Sequence, residues 1–139
     1  MRISFVLFFI IQLSNHANAQ LEKIIHQTFE IGETQEIALD LFGEYEVVYW
    51  AGTNVMTETR IQLYEASSSI LNHFVDKMQR YSVEADTSGG KVLIYHKDKK
   101  RENIRTRNGN QCTEIITLKV FIPDSFKSQN EKLMVRTKQ

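Results

Sequence analysis

The sequence predicts a mainly β protein, an antiparallel sandwich or curled sheet with one covering α-helix over about 67–79. Three observations predict it. Period-two alternation recurs along most of the chain, as where Ile37, Leu39 and Leu41 alternate with Glu36, Ala38 and Asp40. Glycine-bearing turns such as "GTN", "TSGG" and "NGN" separate the alternating runs. One stretch breaks the rhythm: Ile70, Leu71, Phe74, Val75 and Met78 recur at helical spacing and form a single apolar stripe.

The elements follow in order. "IIHQTFEI" (24–31) is rich in β-branched residues and ends at Gly32. "QEIALDLF" (35–42) buries one face and ends at Gly43. "EYEVVYWA" (44–51) is apolar on both faces from Val47 to Trp50, which predicts a central strand covered on both sides. "VMTETRIQLYEA" (55–66) sets Val55, Thr57, Thr59, Ile61 and Leu63 on one side. Ser67 or Ser68 can cap the helix that follows, and Lys77 and Arg80 suit its C-terminal end. Its Ile70, Leu71, Phe74 and Val75 are expected to meet Ile116, Leu118 and Val120. "RYSVEA" and "KVLIYHK", joined by "TSGG", read as a hairpin. Asn108-Gly109 marks a second tight turn, because both residues tolerate positive φ. "QCTEIITLKVFI" (111–122) is the longest strand candidate, with Cys112, Glu114, Ile116, Leu118, Val120 and Ile122 on one face, and Pro123 stops it. From about 127 the chain reads as a polar C-terminal tail with a weak last strand at 133–135.

The first residues speak to compartment. Arg2 precedes the apolar run 3–11, "ISFVLFFII", and Ala17 and Ala19 stand as the small pair of an A-x-A cleavage site. A bilayer span needs ~20 apolar residues, and this run is far shorter. The expectation is a signal peptide over 1–19, a single β-rich domain over 20–139, and no membrane span after cleavage. The mature chain is then exported to the periplasm, the outer surface or the medium.

Composition narrows the function. Formal net charge is zero, so nothing draws the chain globally to nucleic acid, and no nucleic-acid partner is expected. Cys112 is the one cysteine, so no intramolecular disulfide forms and stability must come from packing. Charge is uneven: 21–65 holds nine acidic and two basic residues, and 66–139 eight acidic and fourteen basic ones, so the halves could attract each other within the domain or between copies, against the simpler reading of a mixed solvated surface.

Few motifs carry chemistry. "SGGKV" (88–92) lacks both the upstream glycine and the Ser or Thr of a phosphate loop, and a hairpin turn explains its glycines. His26, His73 and His96 have no metal-ligand spacing, and no family-type signature surrounds the Cys112 thiol. Glu44 and Glu46 could imitate a glycosidase pair, and Tyr45, Tyr49 and Trp50 a sugar-stacking surface, but solvated carboxylates and core aromatics explain them as well. No catalytic, metal or cofactor residue is assigned. The candidate site is the most charged stretch, "YHKDKKRENIRTRNGNQC" (95–112). Its Lys97, Lys99, Lys100, Arg101, Arg105 and Arg107 are candidate polyanion contacts, against the simpler reading of a connecting loop and a lysine-protected edge strand.

The run of an apolar leader, "QTFEIGETQEIALDLFGEYEVVYWAG", "RYSVEADTSGGKVLIYHK" and "LKVFIPDSF" resembles secreted bacterial proteins, of the Bacteroidota kind, grouped as adhesin-like families. The helix at about 67–79 departs from their pattern. The resemblance implies an exported β-rich module and transfers no catalytic residue. The expected function is therefore a small, non-enzymatic binding or structural module of the cell envelope, with an envelope protein or an anionic polysaccharide as partner. The alternatives are a periplasmic hydrolase or enzyme accessory domain, and a polyanion-binding surface protein.

Overall fold

The computed structural model describes residues 20–138. The expected signal peptide lies outside these residues. Among the described residues no helix is long and apolar enough to cross a membrane.

The chain is mainly β. Its strands are β1 (Leu21–Phe29), β2 (Glu36–Asp40), β3 (Glu46–Trp50), β4 (Val55–Tyr64), β5 (Val83–Ser88), β6 (Lys91–His96), β7 (Thr113–Pro123), β8 (Phe126–Asn130) and β9 (Leu133–Arg136). They form a four-stranded sheet in the order β1-β4-β7-β3 and a five-stranded sheet in the order β5-β6-β2-β9-β8. Inward side chains of both sheets meet in one core: Val55, Leu118, Val120 and Ile122 from the first, and Ile37, Leu39, Val92, Ile94, Phe126 and Met134 from the second. That is a sandwich.

Alternation along β4 and β7 matches the sequence reading. Val55, Thr57, Thr59, Ile61 and Leu63 are all buried, as are Leu118, Val120 and Ile122. These two strands run ten and eleven residues, whereas β2 and β8 have five and β9 four. At about 3.3 Å per residue the long strands outrun the second sheet by roughly 15–20 Å. The remainder of their inner face needs another cover. The helical segment and the loop after β6 supply it, through a second core of Ile61, Leu63, Leu71, Tyr81, Ile104 and Cys112.

The helical segment starts as an α-helix, α1 (Ser68–Asn72), capped by the Ser67 hydroxyl accepting from the Ile70 N–H at 3.3 Å. It then widens into a π-type turn over His73–Lys77, closed by Met78 N–H donating to the His73 carbonyl at 3.0 Å. Gln79 adopts a left-handed φ of 49° and ends it. The widening turns Phe74 and Val75 only half inward, while Leu71 is buried. Ile70, Phe74 and Val75 pack in the second core with Ile116 as expected, whereas Leu118 and Val120 belong to the first core, under the five-stranded sheet. Leu71→Ala should therefore cost more than Phe74→Ala, about 3 against about 2 kcal/mol. Urea unfolding of the two variants measures the order, and the reverse order would place the phenylalanine at the centre of the core.

Four differences from the sequence reading have physical reasons. The sheets are mixed: β2 runs parallel to β6, and β3 parallel to β7, beside antiparallel partners elsewhere. β3 is an edge strand rather than a central one, and its Tyr49 is 44% exposed. The expected polar tail from about 127 also holds β8, which pairs with the expected last strand, β9, because Phe126 and Met134 bury themselves in the first core. The basic stretch is a loop closed by a single Arg105–Gln111 bridge rather than an edge strand. The "TSGG" hairpin between β5 and β6 does form, with Gly89 at φ +58° and Gly90 at φ +77°.

Candidate functional site

The six basic residues of the charged stretch do not form one surface. Lys97 donates to the Gln79 side chain at 2.9 Å and lies 3.8 Å from Glu84. Lys99 pairs with Asp40, and that contact holds the Asp40 carboxyl below its ordinary range. Lys100 lines a small cleft of about 280 Å³ with Phe74, Arg80 and Asp98. Arg101 turns inward. Its guanidinium lies 4.7 Å from the Phe42 ring centroid and 5.5 Å from that of Tyr81. Its Nε and Nη2 are buried without a hydrogen-bond partner, and burial pulls its pKa down. Arg105 and Arg107 line a groove beside the π-type turn, and Arg105 also shares a cleft with Arg101, Glu102 and Asn103.

Beneath Arg101 lies a polar cluster that links the helical segment to β7. Arg80 donates from Nε and Nη2 to the two carboxylate oxygens of Glu114, each at 3.0 Å. Tyr81 donates its hydroxyl to the same carboxylate. Burial, and then the bond to Glu114, raise the Tyr81 pKa. Burial pulls Arg80 down, but hydrogen bonding and charge from Glu114 outweigh it, so its pKa is raised. His96, at the end of β6, is 2% exposed. Its Nδ1 accepts the Phe42 backbone N–H at 2.8 Å, which requires the neutral ring. Burial, and then the charge of Arg101, push its pKa down to about 4. These groups satisfy one another inside the fold.

The thiol is similar. Cys112 is buried against the second core, its Sγ lies 3.5 Å from the Glu65 carbonyl, and burial raises its pKa. Such a thiol is a poor nucleophile. His26 is exposed and 3.0 Å from Glu58. Among the described residues no three His, Cys, Asp or Glu side chains stand together as a metal site would need.

Two of the open surfaces carry residues picked out from the sequence. One is a cleft of about 730 Å³ along β3, between that strand and the β8–β9 hairpin. Tyr45, Val47 and Tyr49 face it from the strand, Leu41 and Met134 from beneath, and Glu44, Glu131 and Lys132 stand at its rim. The Tyr45 hydroxyl donates to the Glu131 carbonyl at 3.2 Å. Trp50 is turned away from it: its indole donates to the Asn54 carbonyl at 3.0 Å and lies over Gly52, where a Cβ would come within 2.1 Å of the ring. The aromatic trio of the sequence is therefore divided, two tyrosines in the cleft and the tryptophan on its own turn. Glu44 joins the rim, while Glu46 lies in register with Lys119 of β7. The other surface is the groove of about 750 Å³ between the π-type turn and the Arg105–Gln111 loop. It adds His73 and Lys77 to the basic residues picked out from the sequence. Only the tertiary fold brings these two segments together.

No family model, no curated protein and no solved structure matches this chain.

Proposed function

We propose that this chain is a small binding module, non-enzymatic and adhesin-like, exported to the bacterial cell envelope or beyond it. Its ligand is an extended polypeptide segment of an envelope protein, laid along the open side of β3. The observation that carries the reading is the cleft beside that edge strand. Among the described residues β3 pairs with β7 on one side only, so its other edge offers unpaired backbone donors and acceptors. An added strand bonds to such an edge and drops alternate side chains into the adjoining cleft. Tyr45, Val47 and Tyr49 receive apolar side chains there, and the rim, with Glu44 and Glu131 against Lys132, carries one net negative charge that favours a basic residue on the incoming segment.

The hydrolase or accessory-domain reading draws less support. Three of the groups with displaced pKa values, His96, Tyr81 and Arg80, are turned inward and bonded to partners of the same fold, while Tyr45, raised by burial, lines the β3 cleft. Of those three, only Arg80 lines a cleft at the surface.

The test combines export with binding. Mass spectrometry of protein recovered from the producing cell should give an N-terminus at or near Gln20. Amide exchange with purified envelopes present should slow at residues 46–50, and Tyr49→Asp should abolish the slowing. An intact Met1 in a cytoplasmic pool, or protection that bypasses β3, would overturn the reading.

A further inference from the structure

We infer that the groove between the π-type turn and the Arg105–Gln111 loop is a binding site for an acidic polysaccharide, held by Lys77, Arg105 and Arg107. This surface uses different elements from the β3 cleft, and the two can fail separately.

Three observations carry it. The first is convergence of charge. Lys77, Arg105 and Arg107 line the groove together with His73, and the single acidic residue lining it, Asp76, is drawn toward Lys23 at 3.4 Å. The second is preorganisation. The loop that carries the arginines is closed by Thr106 N–H to the Asn110 carbonyl at 2.8 Å, by Gly109 N–H to the Thr106 carbonyl at 2.9 Å, and by Cys112 N–H to the Ile104 carbonyl at 2.8 Å. Buried Ile104 and Cys112 root both of its ends in the second core. Arg105 donates to the Gly109 carbonyl at 3.1 Å, which fixes its guanidinium above the loop. Cations held in place lose less freedom on binding than a flexible lysine run does. The third is lining. The groove is open to solvent. Ser69 and Asn72 add hydroxyl and amide groups that suit sugar hydroxyls.

The ligand chemistry follows. Guanidinium groups bind carboxylates and sulfates with two parallel hydrogen bonds, and Lys77 adds a point charge. A glycan bearing uronate or sulfate groups presents these anions at intervals along a hydroxyl-rich chain. A nucleic acid would ask for aromatic platforms under its bases. Here the Phe74 ring is half-buried and meets His73 edge-on at 5.5 Å between centroids, which leaves no free platform.

The experiment measures binding of the purified protein to polygalacturonate and to heparin, with polyphosphate and single-stranded DNA as the other arms, across a salt series. Polygalacturonate or heparin should bind at low salt and weaken with a log–log slope of about −2, roughly 0.7 for each of the Lys or Arg cations. Lys77→Ser with Arg107→Ser should lose at least about tenfold in affinity, since each released counterion is worth several-fold at low salt. Lys97→Ser with Lys99→Ser and Lys100→Ser should stay within about twofold, since those side chains lie outside the groove. Circular dichroism confirms that each variant is folded, and the single exposed change Arg107→Gln serves if the double variant is not. Comparison of the two glycans decides between carboxylate and sulfate. The proposal is overturned if neither glycan binds at low salt, if both sets of substitutions weaken binding equally, or if polyphosphate or DNA binds more tightly than either glycan.

Discussion

Glu114→Leu should lower the unfolding free energy by about 3–5 kcal/mol. The carboxylate sits on the inward face of β7, between Cys112 and Ile116, and accepts from Arg80 twice and from Tyr81 once. Leucine would fill the space but leave a guanidinium whose side chain is 6% exposed without a counter-charge. Removing one member of a buried pair strands the other, and that, more than the loss of attraction, sets the magnitude. The double variant Glu114→Leu with Arg80→Met should therefore be more stable than Glu114→Leu alone. Urea unfolding of the wild type, both single variants and the double variant gives the coupling. A cost under about 1 kcal/mol for the single change would mean that water reaches Arg80 and takes the place of the carboxylate.

The second large effect is acid sensitivity through His96. The ring has a folded pKa of about 4, against 6.5 when free. A lowered folded value means that the neutral ring is the native one. The stability it contributes is complete above pH 6.5 and is lost as pH falls from there toward 4. At about 1.4 kcal/mol for each unit, the loss approaches about 3 kcal/mol. The structural cause is plain. Protonating Nδ1 removes the acceptor of the Phe42 N–H and places a second cation near Arg101. His96→Gln keeps a side-chain acceptor and does not titrate, so its stability should stay level between pH 7 and 4.5 while the wild type declines. Asp40 titrates elsewhere: its folded pKa is lowered, first by the bond to Lys99, so its contribution is lost only below about 3.8. Parallel decline of wild type and His96→Gln over pH 7 to 4.5 would remove His96 from the account.

Much of the scaffold could be read from residue order. β4 and β7 declared themselves because β4 buries one face throughout and β7 does so from Leu118 on, and period two then leaves no choice of register. β3 was misread for a definite reason. Its apolar residues on both faces look the same whether a second layer or an open cleft lies beyond them, and Tyr49 faces the cleft. The strand neighbours were also hidden. Nothing in "QEIALD" says that its partners are "KVLIYH", in parallel, and "LMVR". β8 was lost because four of its five residues are exposed and only Phe126 anchors it.

The candidate site was less legible. Six basic residues in one stretch suggest one function, but two details argue otherwise. Ile104 interrupts the run and is buried, which pulls the chain down onto the second core. Glu114 occupies an apolar register on β7, and a carboxylate there demands a cation from inside the fold. Arg80 answers it. His73 and Lys77, which complete the basic groove, lie far away in sequence and only the folded chain places them beside Arg107.

β9 sits between β2 and β8, with Ile37 opposite Met134 on one side and Val135 opposite Lys127 on the other. The second strand of the domain thus gains its antiparallel partner only from the last one. Pairing over so great a sequence separation is slow, because chain closure must precede any reward. Without β9 the five-stranded sheet cannot be completed, because β9 joins β2 to β8. One edge of β2 stays open until β9 docks, and a nick after Pro123 should trap the rest as an aggregation-prone intermediate.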